Sequence, residues 1–582
     1  MEMVNPMGGY TLKSLKINLS TMEVSAQETD EDLLKRFLGG RGLGVQLVGK
    51  FIKAPAYSEE MPIIFATGPL TGTNTPTSGR MSVVSRSPLT GTVFDCSVGG
   101  AFATNLKRAG YDYIHITGIA PKWTALVIED HDIRLIDASG LEGLNISAIQ
   151  EEIGNRYSFA AIGIAGERLV RYASIVFDGH YLAGRGGLGA VMGSKRLKFI
   201  AVRGTGSVIV NDSAMLGEAN KEIMRLLRAS PAVFGEFGLS NYGTAALVDV
   251  IHSRRLEPTD NFRETFFSDS SAYSAYAIKE RYGTKRAGCM GCPVLCKKVS
   301  PKGEVLPEYE TLSHFGALNR CSDLEAVVRA NKICNEYGID TISAASTIAC
   351  YGELRGTVVD PKGFCDLLAR IATRSDNIGN ALAEGSYRYA QSMGHPELSM
   401  SVKALELPAY DPRGAYGMAL SYAVSNRGGC HLRAYPISHE ILRKPVVTDR
   451  FSFEGKARLI KIAEDMNAIV DSLTACKFAF FSATLEEYAK ALTAVTGYTH
   501  TAQDLLSIGN RICRLERYLN NLNGLDATHD DLPPRFFTEE GSSSDKIKIL
   551  PINREDFLEA RARYYRVRGA SEQGTIGSIN GD

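Results

Sequence analysis

Gly184-Arg185-Gly186-Gly187-Leu188-Gly189 is the stretch on which the fold turns. Its spacing formally matches the G-x-G-x-x-G fingerprint of a dinucleotide-binding turn, and Asp212 lies near the distance at which such folds carry an acidic residue. The surroundings argue against that fold. The nearest upstream strand candidate, 174–177, ends several residues early, and no strand–helix–strand unit is expected to follow. Before it, Leu15, Ile17 and Leu19 alternate with polar residues ahead of a turn at Ser20-Thr21. Short apolar runs recur at 63–65, 82–84, 113–117, 126–128 and 133–136, punctuated by glycine and proline. A doubly wound fold needs long helical patterns between successive strands, and none is found. The first 200 or so residues therefore read as sheet. After about Asp212 the pattern becomes helical, with stretches such as 214–228, 324–337 and 456–469.

Within 324–337, Val327, Ala330, Cys334 and Tyr337 share one helical face, which makes Cys334 a buried small apolar residue. Ser322 and Glu325 predict a capping box for this helix, and Gly338 its stop. Residues 539–546, with one glycine and three serines, predict a mobile surface loop, and the tail after Arg568 is expected to fray. No internal repeat is present.

The chain has 582 residues, length for two to four domains, and 65 basic residues balance 65 acidic ones. Net charge thus gives no sign of nucleic acid or an anionic membrane as partner. Residues 1–10 lack a signal pattern, and no apolar run reaches bilayer-spanning length. Eleven cysteines in so long a chain are too sparse for a disulfide scaffold. A soluble cytoplasmic protein is expected.

Cys289-Met-Gly-Cys292-Pro-Val-Leu-Cys296, with a lone Cys476 far downstream, carries the chemistry. Thiolates converging in so short a turn hold an iron–sulfur cluster or zinc. Structural zinc usually takes cysteines in pairs, and no second pair lies at zinc-site spacing. Three clustered thiols and a remote fourth fit a four-iron cluster better, with zinc and inert thiols as the alternatives. A second glycine cluster, Gly39-Gly40-Arg41-Gly42-Leu43-Gly44, joins the first, and Arg41, Arg80, Arg86, Arg185, Lys195 and Arg196 are interleaved with them. Amides freed by glycine beside arginines make anion sites, here for a ligand with more than one phosphate; tight turns with solvated arginines are the alternative. Pro307 suits a helix start, which would set Glu310 and His314 one turn apart as a metal pair or a surface hydrogen bond. In Gly428-Gly429-Cys430-His431-Leu432-Arg433 a histidine follows a glycine pair, where a ligand could approach the backbone or a core histidine could sit in a tight loop.

Taken in order, Gly39 to Gly44, Gly68-Pro69-Leu70-Thr71-Gly72-Thr73, Ser78-Gly79-Arg80, 183–195, the cysteine triad, 307–311, 337–343 and 471–476 resemble the aldehyde ferredoxin oxidoreductase family of tungsten enzymes. The resemblance runs from about Tyr10 to about Asn520. It implies an α+β fold: a β-rich, pterin-binding saddle domain over 1–210, a helical domain with the cysteine triad over 211–410, and a helical domain with the fourth cysteine over 411–582. It also implies tungsten (molybdenum is an alternative) held by two pterins, one 4Fe-4S cluster and a magnesium ion shared by the pterin phosphates. Cys289, Cys292, Cys296 and Cys476 match the cluster positions, whereas Cys430 and Cys513 do not.

By the same matching, Asp340 and Asp471 accept hydrogen bonds from the pterin rings and Arg80 lies between cluster and pterin. Ser97 and Ala183 offer carbonyl oxygens to magnesium, with Gly184, Arg185, Gly186 and Gly187 at the phosphates and amides of 40–44 nearby. Three positions depart from the family: Ser97 where asparagine is frequent, Asn335 where an aspartate often opens the first pterin motif, and 326–332, which lacks the Glu and His that bridge some archaeal dimers through iron. That metal is not expected, and a homo- or hetero-oligomer is left open. The implied activity is oxidation of an aldehyde to a carboxylic acid, with electrons leaving singly to ferredoxin or a ferredoxin-like subunit. Glu310 would be the base, and His431 a hydrogen-bond donor to the carbonyl or the tungsten oxo group. The runners-up are a low-potential tungsten reductase subunit acting on an aromatic acyl-CoA thioester and a non-catalytic cluster-bearing relay.

Overall fold

The computed structural model describes residues 7–444 and 446–577. Most of the expected leader-free start and the last residues of the expected frayed tail lie outside them.

Two six-stranded mixed sheets build the first 203 residues. The strands are β1 (Lys13–Asn18), β2 (Glu23–Glu28), β3 (Ile63–Ala66), β4 (Met81–Arg86), β5 (Val93–Val98), β6 (Tyr113–Thr117), β7 (Thr124–Glu129), β8 (Asp132–Asp137), β9 (Ser158–Ala161), β10 (Ile175–Phe177), β11 (Tyr181–Ala183) and β12 (Leu197–Arg203). The first sheet has the order β2-β1-β6-β3-β4-β5 and the second β11-β10-β9-β12-β7-β8. The pairs β1–β6 and β7–β12 are parallel and the rest antiparallel. Beyond β12 the chain is mainly helical, so the class is α+β with a β-rich N-terminal part. Among the described residues no helix is long and apolar enough to cross a membrane.

The period-two alternation of strand side chains divides the first sheet between two cores. Leu15, Ile17, Ile63, Phe65, Met81 and Val83 face the second sheet, where Phe65 lies 6.3 Å from Phe177, ring centre to ring centre. Their neighbours Ile64, Ala66, Val84 and Tyr113 face the other way, onto the helices Gly40–Gly49 and Ala502–Leu522 and the end of Lys456–Ser472. Sheet and late helices are thus one packed body.

The glycine stretch that opened the sequence differs from expectation. A short strand, β11, does precede it, and a helix, Leu188–Ser194, then β12, follow. This local strand–helix–strand unit still makes no dinucleotide fold, because β11 and β12 run antiparallel with β10 and β9 between them. Gly186 and Gly187 have φ of +75° and +79°, and a Cβ on Gly187 would lie 2.0 Å from Arg171 O. Only glycine fits.

Other boundaries shift for local reasons. The helix Leu324–Tyr337 is capped by Asp323, whose carboxylate accepts from Glu325 N and Ala326 N, rather than by Ser322; Gly338 ends it at φ +72° and Cys334 is buried as expected. Pro307 precedes the helix Tyr309–Phe315, whose N-cap is Glu308. The loop 539–546 is pinned, with Ser542 N donating to Thr265 Oγ1 and Arg413 donating to the carbonyls of Glu539 and Glu540. The tail packs at least to Ile576, which is buried, and Arg517 Nε donates to Gly574 O at 2.7 Å.

Candidate active site

A cavity of about 1180 Å³ opens where the first sheet's edge, the glycine turn and the later helices meet. Cys289, Cys292, Cys296 and Cys476 all line it, together with Arg80, Ser97, Gly184, Arg185, Glu310, Asp340, His431 and Asp471.

The three clustered cysteines lie on the loop joining a short hairpin, β13 (Lys285–Ala287) and β14 (Lys297–Val299). Cys292 N bonds Cys289 O at 3.1 Å, and Gly291 takes the left-handed conformation that tightens the turn. Glycines on the facing segments let the loop in: a Cβ on Gly99 would lie 2.3 Å from Cys289 Sγ, and one on Gly79 2.9 Å from Met290 O. Cys476 comes from the opposite wall, one residue before the short helix Lys477–Phe481. Among the described residues no group of three or more His, Cys, Asp or Glu side chains is arranged to hold a single metal ion. The four thiols are nonetheless near enough to act on one another. Burial pushes Cys292 up to about 11, and the Cys476 and Cys289 thiols add to it; burial, then Cys476, Glu308 and Cys289, raise Cys296, and burial raises Cys476 against the pull of Arg80, with Cys289 adding to the rise. Burial works against the Arg80 charge, but Cys476 and Cys289 hold the guanidinium firmly protonated.

Glu310 and His431 form the polar centre. Glu310 Oε2 accepts from Ala409 N at 2.9 Å, while Oε1 has no hydrogen-bond partner and lies 3.6 Å from His431 Nε2. Burial pushes the Glu310 carboxyl up to about 8, against the opposing pull of the Ala409 amide and Arg185. His431 is held neutral by burial and then by Arg185 and Arg427, and its Nδ1 has no partner. Tyr410 and Tyr435 wall this pair, with ring centres 5.7 and 5.9 Å from the imidazole. His314 is one turn from Glu310 but is no metal partner: it is fully buried, with Nδ1 2.7 Å from Glu310 O and Nε2 3.1 Å from Leu407 O. The glycines ahead of His431 serve packing, not ligand access: a Cβ on Gly428 would meet Val402 O at 2.7 Å and one on Gly429 Leu405 O at 2.6 Å.

The remaining expected residues fall into place unevenly. Ser97 O accepts from Arg80 Nη2 at 2.7 Å, and a carbonyl turned to a guanidinium is a poor cation ligand. Ala183 is buried and does not line the cavity, although Leu182 and Gly184 do. Asp340 caps the helix Thr341–Leu354, and its Oδ2 accepts from Ser343 Oγ at 2.8 Å and Arg185 Nε at 3.3 Å. Asp471 is paired with Lys477 and lies 3.5 Å from Arg41 and 3.8 Å from Arg433.

Residues 40–44 open the helix Gly40–Gly49 rather than a loop, and its amides are partly used: Gly40 N bonds Thr67 O and Gly42 N bonds Ser472 Oγ. Arg41 is buried in a two-pronged pair with Glu516, 2.6 and 2.7 Å long, so it is no solvated or phosphate-seeking arginine. Arg86, Lys195 and Arg196 bond backbone carbonyls away from the cavity. The cations that line it beside Arg80 and Arg185 include Lys297 and Lys444 as well as Arg427, Arg433 and Lys477, to which last three sequence reasoning gave no role. The available signal was their position, flanking His431 and following Cys476.

Comparison with known proteins agrees over nearly the whole chain. Residues 14–204 match the family profile "Aldehyde ferredoxin oxidoreductase, N-terminal domain", and residues 218–578 match "Aldehyde ferredoxin oxidoreductase, domains 2 & 3". A tungsten-containing aldehyde ferredoxin oxidoreductase of Pyrococcus furiosus is 41% identical over 97% of this chain and 96% of its own length. One from Thermococcus kodakarensis is 41% identical with the same coverage. Among solved structures, the active-site complex BamBC of benzoyl coenzyme A reductase superposes with a TM-score of 0.83 over 98% of this chain and 96% of that one, at 23% identity, a likeness of fold alone.

Proposed function

The chain belongs to the aldehyde ferredoxin oxidoreductase family, and on that premise we propose that it oxidises an aldehyde to a carboxylic acid and hands the electrons singly to a ferredoxin-type protein. One observation carries the reading: a buried carboxyl with an unpartnered oxygen, Glu310 Oε1, beside a neutral His431 in the cavity that four cysteines also line. A relay protein would have no use for such a pair.

The lining suits the groups the family implies. Four thiols in mutual electrostatic range are the donor set for one four-iron cluster, and the crowding that raises their proton affinity is relieved once iron replaces the protons. Arg80, Arg427, Arg433 and Lys477 supply positive charge for pterin phosphates, and Arg433 Nε is a buried donor with no partner. Asp340, Asp471 and the 184–187 turn belong to the same reading, whereas Ser97 and Ala183 are its weakest members for magnesium. When bound, the tungsten pterin supplies the two-electron oxidation of the aldehyde carbon.

The chain's own groups manage protons and charge. Aldehyde plus water gives carboxylate, three protons and two electrons, so a proton acceptor near the carbonyl carbon is required. Ionised Glu310 takes a proton at Oε1. Once protonated it can donate toward a His431 Nε2 that carries no hydrogen; ionised, it favours the tautomer with Nε2–H. His431, uncharged throughout, offers a single N–H to the substrate oxygen as negative charge develops there. Tyr410, Tyr435 and Tyr309 exclude water around the pair.

The test is anaerobic purification, metal analysis and an aldehyde panel coupled to viologen dye. About one tungsten per chain with viologen reduction by aldehydes supports the proposal; iron without tungsten and no turnover overturns it.

A further inference from the structure

Ser343 Oγ lies between two buried carboxyls, 2.8 Å from Asp340 Oδ2 and 2.7 Å from Glu406 Oε2. A serine hydroxyl has one hydrogen and can donate it to one of them at a time. Were both carboxyls ionised, the other contact would set oxygen lone pairs against each other, so the pair shares a proton. Arg185 decides where it sits. Its Nε stands 3.3 Å from Asp340 Oδ2, whereas its Nη2 meets Glu406 at the main-chain carbonyl, 2.6 Å away. The charge therefore rests on Asp340 and the proton on Glu406. The setting of Glu406 agrees: it is fully buried, and among the described residues no lysine or arginine pairs with its carboxyl oxygens. Burial raises its proton affinity against the pull of Arg185, and Arg388, Tyr172 and Cys350 face it from farther off.

The contacts continue beyond Glu406. Its Oε1 meets Ser386 N at 3.0 Å and Ser386 Oγ at 3.1 Å; Ser386 Oγ is 2.9 Å from Ser399 Oγ, and Ser399 Oγ is 2.9 Å from Ser401 Oγ. Either hydroxyl can be the donor in both serine–serine contacts, so this stretch can point either way. Two short strands, β15 (Ser401–Val402) and β16 (Leu405–Glu406), set Ser401 opposite Glu406. Ser343, Ser386 and Ser399 are buried, while Ser401 is half-buried. At the other end Asp340 lines the cavity that holds Glu310. The residues that follow these two acids, Thr341 and Thr311, share a hydroxyl bond of 2.8 Å.

A file of carboxyls and hydroxyls from a reaction cavity to the protein's edge is the build of a proton relay. We propose that Asp340, Ser343, Glu406, Ser386, Ser399 and Ser401 carry protons from the cavity to solvent. The inference rests on the proposed function for its protons: each aldehyde oxidised releases three, more than Glu310 can hold. At rest Glu406 donates from Oε2 to Ser343, and Ser343 to ionised Asp340. A proton that reaches Asp340 turns the file: Asp340 donates to Ser343, Ser343 to Glu406 Oε2, and Glu406 presents its hydrogen at Oε1. One hop at each group then sends a proton from Ser401 to water. Every group takes a hydrogen from the cavity side as it releases one on the other, which leaves Asp340 ionised and the resting arrangement restored.

The experiment mixes anaerobic holoenzyme with aldehyde in a weakly buffered pH-indicator dye. Stopped flow follows cluster reduction and proton appearance together, and viologen-linked turnover is compared in water and D2O. In the wild type the two signals should keep step. In Ser399→Ala and Glu406→Gln, with iron and tungsten contents normal, proton appearance should lag cluster reduction about tenfold or more, and the solvent isotope effect should grow. Ser399→Thr keeps a hydroxyl and should remove the lag. Should Glu406→Gln not fold, Ser399→Ala against Ser399→Thr carries the comparison. Protons in step with cluster reduction and an unchanged isotope effect in Ser399→Ala, whatever the loss of rate, mark a packing role and overturn the proposal. Infrared spectra of the resting holoenzyme test the file without turnover: a protonated-carboxyl band should be present and should be missing from Glu406→Gln. Retention of every such band in that variant leaves no proton on Glu406 and also overturns the proposal. A protein that shows the band but oxidises no aldehyde would leave the file standing and remove the proposed substrate instead.

Discussion

Glu310 owes its proton affinity to what surrounds it poorly: one oxygen takes the Ala409 amide, the other takes nothing, and burial penalises the charge. Since the ionised form accepts the proton, turnover should rise with pH through about 8 and level off above it. Glu310→Gln keeps the shape but cannot bind the proton. Its rate should fall roughly a hundred- to ten-thousand-fold and lose that rising limb, with iron and tungsten contents normal, as steady-state rates over a pH series will reveal. Cys476 and Cys334 make the paired control at this scale. Cys476→Ala removes a thiol that faces the other three across the cavity and should cost the protein its cluster iron. Cys334→Ala, in a fully buried apolar setting, should keep the iron and lose only some stability; iron assay and the resonance of the reduced protein distinguish the two.

At the scale of elements, the helix Gly40–Gly49 rests on the first sheet through glycine. A Cβ on Gly44 would lie 2.3 Å from Val84 Cγ2 and one on Gly40 2.2 Å from Asp471 O. Gly44→Ala should therefore lift the helix and lower stability by about 1–3 kcal/mol, seen as a lower unfolding midpoint in denaturant. The sequence revealed that glycines mattered here but not why. Strands could be read from alternation because period two survives wherever one face meets a core, and the runs at 113–117 and 324–337 coincide with the elements found. The packing duty of Gly39 to Gly44 and of Gly428-Gly429 was illegible, because the atoms they make room for belong to Asp471, Val84, Val402 and Leu405, distant in the chain. The glycine turn at 184–189 misled in the same way: its strand partners are fixed by sheet order, which local spacing does not encode. In the candidate site the cysteines could be read from their spacing, whereas Glu310 and His431 were ambiguous by pattern and were singled out only by the family resemblance; all of them line the cavity. Arg427, Arg433 and Lys477 did not stand out, since a cation in a loop looks the same whether it faces solvent or a cavity.

Across the whole molecule, one buried ion pair joins the ends of the chain. Arg41 grips Glu516 with two bonds, and Asp95 and Asp471 lie 3.7 and 3.5 Å from the same guanidinium. Glu516→Ala would take away both of those bonds and leave the buried guanidinium only its longer contacts with Asp95 and Asp471, and should cost roughly 3 kcal/mol, measurable by equilibrium unfolding. Arg41 holds the Glu516 carboxyl below its usual range despite burial, and Arg433 and Arg41 do the same for Asp95. A depressed carboxyl stabilises the fold above its unfolded value and loses that contribution as pH falls through the folded one. Stability of the wild-type protein should therefore drop below about pH 4, and Glu516→Ala should show a shallower acid limb.

The division of the first sheet between two cores has a consequence for the protein's birth. All six strands have left the ribosome by residue 117, but the helix that covers their second face ends at Leu522, about four hundred residues later. At about 5–20 residues per second, Ile64, Val84 and their neighbours wait roughly twenty to eighty seconds for that cover. A nascent chain with such a naked apolar face is a natural client for a chaperone.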